Sequence, residues 1–146
     1  MQPTLITYDG SEASRRAIDV AAEMFPSRPA VVLNIAPPMT FTEAMVATTT
    51  LGPAAVLEEL NTVSAREKAE AGADYARRRG LDAEPREGTA SSTWEGILEI
   101  ADEMDAAVIV VGSRGLSGLR EAAQGSVSHS VATHATRPVL IVPPAS

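Results

Sequence analysis

Cysteine is missing from this chain of 146 residues, which excludes disulfides, thiolate metal centres and a cysteine nucleophile and is compatible with a reducing compartment. Lysine is nearly missing as well: Lys68 stands alone. A P-loop needs Gly-Lys-Ser/Thr at a helix start, and no lysine lies near any glycine cluster, so a Walker-type NTPase is excluded. Basic residues are outnumbered, 12 Lys and Arg against 19 Asp and Glu for a formal net charge of -7, which argues against a surface that tracks nucleic-acid phosphates. No apolar run is long enough to span a bilayer, and Met1 leads into a strand-like segment by Thr4 without a basic or apolar leader. A cytoplasmic protein with no membrane and no nucleic-acid partner is expected. Histidine is scarce: His129 and His134 are five apart, off the i,i+4 spacing of a metal pair, and no Gly-x-Ser-x-Gly elbow supplies a nucleophile. No metal ligands and no catalytic residues are assigned, and both histidines read as surface or packing residues.

What the chain does have is a 45% hydrophobic composition, enough for the core of one domain across residues 1–146. Strand-like and helix-like segments alternate throughout. Thr4–Tyr8 is β-rich, and Asp9-Gly10-Ser11 follows as a turn whose Ser11 can accept from the first amides of a helix. Ile18, Ala21, Ala22 and Phe25 then recur at helical spacing, with Arg15, Arg16, Asp19 and Glu23 on the other face, until Pro26. Ala30–Ala36 reads as the second strand. Met39–Gly52 lacks periodicity and is read as a long loop, in the manner of a lid or surface segment. Pro53 opens a long helix to about Arg79, with Val56, Leu60 and Val63 on one stripe, Ala-rich packing later and Gly80 as its stop.

Leu81–Glu87 is a weak strand that Pro85 confines to a sheet edge. Ser92-x-x-Glu95 predicts a capping box for a helix with Ile97, Leu98 and Ala101 inward and Glu99, Asp102 and Glu103 outward. Glu58, Glu59 and Asp105 read with these as a solvated polar face, and Trp94 as a staple or core anchor. The apolar run Ala106–Val111, a helix over Val127–Ala135 and a last strand over Pro138–Val142 complete the chain. The alternation predicts an α/β fold, a mostly parallel sheet with helices on both faces, whose ligands bind beyond the carboxyl ends of the strands.

The run Ala106–Val111 empties into Gly112-Ser113-Arg114-Gly115, and nine residues later comes Gly125-Ser126-Val127-Ser128 at a helix start. This reads as a phosphate cradle. Glycines let backbone amides approach an anion, and the first amides of a helix are unpaired at the positive end of its dipole. The spacing Gly112-x-x-Gly115-x-x-Gly118 is not the Gly-x-Gly-x-x-Gly of a dinucleotide site.

The pattern Gly-x2-Gly-x9-Gly-Ser, filled by Gly112, Gly115, Gly125 and Ser126, resembles that of the ATP-binding members of the universal stress protein family. Thr4 to Ala17, Asp105 to Gly115 and Arg137 to Val142 are similar to that family's first strand and helix, fourth strand and closing strand. The resemblance implies an open five-stranded parallel sheet of order 3-2-1-4-5, Rossmann-like and akin to the adenine nucleotide alpha hydrolases, with Asp9 and Gly112 facing each other at the switch point. It implies ATP as ligand, with Mg²⁺ arriving on the phosphates. Asp9 would bond the adenosine moiety, the backbone near Ile35 would read the adenine edge, and Thr7 and Tyr8 would line the wall. Amides of Gly112, Gly115 and Gly125 with the Ser126 and Ser128 hydroxyls would hold phosphates at a helix start that includes Val127, and Arg114 is the nearest candidate cation. A helix N-terminus supplies about 0.3–1 kcal/mol toward an anion, against about 8 kcal/mol for a micromolar ligand, so the adenine slot has to carry much of the affinity. The resemblance also implies a homodimer, for which the short apolar strand Val139–Val142 offers an edge. Slow ATP hydrolysis, or a dimeric interaction module without nucleotide, are the alternatives, and neither a P-loop lysine nor an evident base favours hydrolysis.

Overall fold

The computed structural model describes residues 1–36, 45, 54–113 and 126–145, and of 54–61 and 126 the backbone alone. Most of the segment Met39–Gly52, the side chains of Val56 and Leu60, and the connection 114–125 thus lie outside the described residues. Five strands, β1 (Thr4–Thr7), β2 (Ala30–Ala36), β3 (Ala83–Thr89), β4 (Val108–Gly112) and β5 (Val139–Val142), form one sheet of order β3-β2-β1-β4-β5, with every pair parallel. Four described helices cover it: α1 (Glu12–Met24), α2 (Ala54–Arg78), α3 (Thr93–Glu103) and α4 (Ser126–His134).

Alternate side chains of each strand face opposite ways, and the core divides accordingly. Ile6, Tyr8, Val32, Val108, Val110 and Val142 pack against Ala17, Ile18 and Ala21 of α1 and Ala73 and Ala76 of α2. Leu5, Leu33, Ile35, Ile109 and Val111 pack on the other face against Ile97, Ile100 and Ala101 of α3 and Val131 of α4. Burying each large aliphatic side chain contributes about 1.5–3 kcal/mol, and both layers hold the sheet from β2 to β4 rigidly under the crevice. Val63, by contrast, is 43% exposed, so the expected apolar stripe of α2 does not extend to it. That helix meets the sheet through alanines, Ala65, Ala69, Ala73 and Ala76, all buried, and small side chains bring its backbone close.

Helix ends follow local chemistry. Gly80, at φ +93°, closes α2 in a Schellman pair, Leu81 N–H to Ala76 C=O at 3.1 Å and Gly80 N–H to Arg77 C=O at 2.9 Å. The same pair closes α3, Ala106 N–H to Ala101 C=O and Asp105 N–H to Asp102 C=O, with Asp105 at φ +52° in the place glycine usually takes. Asp105 tolerates it because its carboxylate is tied on both sides, accepting from Arg137 Nη1 and from Gln2 Nε2, each at 2.8 Å. These bonds hold the Asp105 carboxyl below its ordinary value, the Arg137 bond most of all. Arg137 also reaches Asp102 at 2.9 Å, and Glu103 pairs with Arg86, so these carboxylates are paired rather than merely solvated. Ser92 is the N-cap of α3, yet its side chain makes no capping bond. The expected capping box is therefore corrected to a bare cap, whose buried Oγ has no partner among the described residues.

Pro85 lies on β3, at one edge of the sheet, where a missing ladder donor is tolerated. β5 forms the other edge.

Candidate functional site

In this strand order the chain leaves β1 toward β2 and leaves β4 toward β5, so the carboxyl ends of β1 and β4 diverge and a crevice opens between them. The residues on either side of that switch point form the candidate site. At β1, Asp9 Oδ1 accepts from Ser11 N–H at 2.8 Å, an Asx turn made possible by Gly10 at φ +87°. Ser11 Oγ accepts from Ser14 N–H at 3.2 Å as the N-cap of α1. Ser14, buried, returns its hydroxyl to Ser11 C=O at 2.9 Å and accepts from Asp9 N–H at 3.3 Å. The loop that presents Asp9 is thus tied to the helix start by these bonds and by Arg15 Nη1 donating to Gly10 C=O at 2.9 Å, with Asp9 Oδ1 committed to the turn.

Across the crevice, Gly112 ends β4. A Cβ on it would stand 3.1 Å from Ala13 C=O and 3.3 Å from Ala13 Cβ, so the strand end touches the first turn of α1. Ser113 N–H continues the sheet by bonding Val142 C=O at 2.9 Å. Thr7 Oγ1 reaches Val110 C=O at 3.4 Å, spanning the two strands just below the opening. Tyr8 differs from the expectation of a wall residue: its ring is buried in the core between the sheet and α2, beneath Gly72, where a Cβ would come within 2.6 Å of it. Ile35 sits at the end of β2 with its side chain buried on the α3/α4 face.

α4, Ser126–His134, follows Gly125 in the chain and runs back along the sheet toward the start of β5. That course sets its N-terminus toward the carboxyl ends of the strands. Val127 and Ser128 of its first turn are half-buried, Val127 packing on the α3/α4 core. Arg114, Gly115 and Gly125 lie outside the described residues, as does the Ser126 hydroxyl. The two histidines are exposed; His134 stacks on Trp94 with centroids 4.5 Å apart, and its Nδ1 is 2.9 Å from Ser130 C=O. Among the described residues no group of three His, Asp or Glu is placed to hold a metal ion, and no helix is long and apolar enough to cross a membrane.

The universal stress protein family model matches residues 1–143. The chain belongs to the universal stress protein family. It is 34% identical over 148 residues to the universal stress protein YxiE of Bacillus subtilis, covering 94% of this chain and 96% of that protein. Among solved structures it resembles a universal stress protein in complex with cAMP, at 26% identity and a TM-score of 0.69, over 99% of this chain and 98% of the other. It also shares the fold of the Archaeoglobus fulgidus universal stress protein in complex with dAMP, with a TM-score of 0.71 at 23% identity, over 97% and 98% of the two chains.

One residue of this carboxyl edge was overlooked in the motif reading. Asn34, buried at 6% exposure, donates from Nδ2 to Tyr8 C=O at 2.8 Å. Its signal in the sequence is a lone amide inside the apolar run Ala30–Ala36, a type that persists in a buried strand only when its bonds are supplied.

Proposed function

We propose that this universal stress protein, a single domain over residues 1–146, binds ATP at the switch point and serves as a nucleotide-responsive regulator rather than a metabolic enzyme. The observation that carries the reading is that Asp9, in the loop after β1, and Gly112, the last residue of β4, flank the crevice that the strand order opens, next to the intact Gly-x2-Gly-x9-Gly-Ser motif. Asp9 bonds the adenosine moiety, Ile35 main-chain groups meet the base, and Thr7 and the main chain of Tyr8 line the wall. The amides of Gly112, Gly115, Gly125 and Val127, with the hydroxyls of Ser126 and Ser128, hold the phosphates, and Arg114 supplies positive charge. Mg²⁺ would come with the phosphates, screening their charge. Relatives solved with cAMP and dAMP are in keeping with an adenine ligand.

The same reading makes the protein a cytoplasmic homodimer joined through β5, whose Ile141 is 40% exposed on an otherwise apolar edge strand. Nucleotide extraction from purified protein followed by mass spectrometry, together with a thermal melt with and without ATP and Mg²⁺, tests the ligand. Adenine nucleotide and a raised Tm are expected; neither appearing overturns the assignment. Sedimentation at micromolar concentration tests the dimer, which a monomer would refute.

A further inference from the structure

The β1–β2 ladder stops one rung early, and the residue that takes over is Asn34. The register runs from Thr4↔Ala30 to Thr7↔Leu33, and the last bond is Tyr8 N–H to Leu33 C=O at 2.8 Å. In a parallel ladder alternate residues turn both main-chain groups toward the same neighbour, so Ile35, like Leu33, faces the β1 side. The regular continuation is Ile35 N–H to Tyr8 C=O, and among the described residues that bond is not formed. Tyr8 C=O accepts instead from Asn34 Nδ2 at 2.8 Å. β2 itself does not fray here, because its pairing with β3 continues through Ile35↔Gly88 to Ala36↔Thr89. Ile35 is also pinned by its side chain: added Cβ atoms on Gly88 and Gly96 would come within 2.9 and 3.2 Å of its Cδ1.

We propose that Asn34 is a positioning residue that ends the β1–β2 ladder by capping Tyr8 C=O, and so keeps the N–H and C=O of Ile35 open to the crevice as the pair that selects adenine over a 6-oxopurine. The inference rests on the adenosine-phosphate reading above and assigns its base selectivity. An adjacent main-chain donor and acceptor match the N1 acceptor and the 6-amino donor of adenine. Hypoxanthine offers the reverse, an N1–H donor and a 6-oxo acceptor, so each group would face its like. A site that leaves buried polar groups unpaired in this way rejects the wrong ligand strongly. Without the Asn34 amide, Tyr8 C=O is free to draw in Ile35 N–H and close the next rung.

The test uses the full chain as wild type, Asn34→Leu, of similar volume, and Asn34→Ala. ATP and ITP affinities are measured by calorimetry, and exchange of the Ile35 amide is followed by NMR without nucleotide. In wild type the Ile35 amide is expected to exchange faster than that of Leu33, and ATP to bind more tightly than ITP. In either variant ATP affinity should fall about fivefold or more, the loss of one hydrogen bond, while ITP affinity holds and Ile35 exchange slows. An unchanged ATP-to-ITP ratio with unchanged Ile35 exchange overturns the proposal. Should both variants fail to fold, a wild-type Ile35 amide as protected as that of Leu33 overturns it alone. Absence of any ATP binding by wild type would instead overturn the adenosine-phosphate reading, and the Ile35 exchange would still decide the role of Asn34 in the ladder.

Discussion

Gly112 and Ala13 meet backbone to backbone: the Cβ that Gly112 lacks would lie 3.1 Å from the Ala13 carbonyl oxygen. A main-chain neighbour in the first turn of a capped helix has little room to retreat, so Gly112→Ala forces the end of β4 away from α1. A loss of about 1–3 kcal/mol is expected from such overpacking, measured by urea unfolding. ATP affinity is expected to fall as well, because the displaced strand end is one wall of the crevice.

Asp9 has two roles that separate by substitution. Asp9→Asn retains an oxygen for Ser11 N–H and so keeps the turn, whereas Asp9→Ala removes it, with a cost of about 1 kcal/mol by analogy with a lost cap. Thermal melts should therefore place Asn close to wild type and Ala below it. Both variants are expected to bind ATP more weakly, and an Asp9→Asn protein with wild-type affinity would show that the carboxylate serves the turn alone.

Gly72 sits in the middle of α2, where alanine is ordinarily better by about 1 kcal/mol. Here the Cβ would stand 2.6 Å from the Tyr8 ring and 2.7 Å from Val32 Cγ1, and the buried ring is backed by the sheet. Overpacking of about 1–3 kcal/mol outweighs the propensity, so Gly72→Ala should lower Tm. Gly80→Ala meets no atom within 4 Å but keeps φ at +93°, and is expected to cost about 1 kcal/mol through backbone strain alone.

Arg137 joins the ends of α3 and β5, and its removal has a pH signature. Its hydrogen bond, with that of Gln2, lowers the Asp105 carboxyl from its ordinary 3.8. A carboxyl lowered by folding binds fewer protons in the native state. Its contribution is thus fully present above pH 3.8 and is lost as pH falls through the lower native value. Arg137→Met should be less stable than wild type at neutral pH, with the difference in urea midpoint narrowing as the medium is acidified below pH 3.8. A difference that stays constant across that range would show that packing of the arginine stem, not the ion pairs, is what matters.

Helix placement and a mostly parallel sheet could be read from the chain because each rests on local signals, β-rich runs, a cap at Ser11, a stop at Gly80 and a proline that only an edge strand accepts, while the strand order came with the resemblance to the family. The position of Asp9 opposite Gly112 follows from that order. What escaped was of longer range. Arg137 meets Asp102 and Asp105 across 35 and 32 residues, a pairing no periodicity encodes. Ser92 and Glu95 have the spacing of a capping box, but spacing does not dictate where the serine hydroxyl turns. On α2 the Ala-rich packing expected of its later part is what meets the sheet, whereas Val63 turns outward. Tyr8 was expected in the wall from the resemblance to the family, yet strand parity sends its ring into the core beneath α2, and Asn34 was passed over as one polar residue in an apolar run.

The two edges of the sheet have opposite characters, and that contrast limits growth. β3 carries exposed Glu84 and Pro85 beside Arg86 and Glu87, a border that repels a further strand, whereas β5 reads Val-Leu-Ile-Val. The proposed twofold pairing of β5 with β5 would cover this apolar border in each copy and leave β3 at both outer ends. Such an assembly would be closed at two, with no free β5 left to add a third copy.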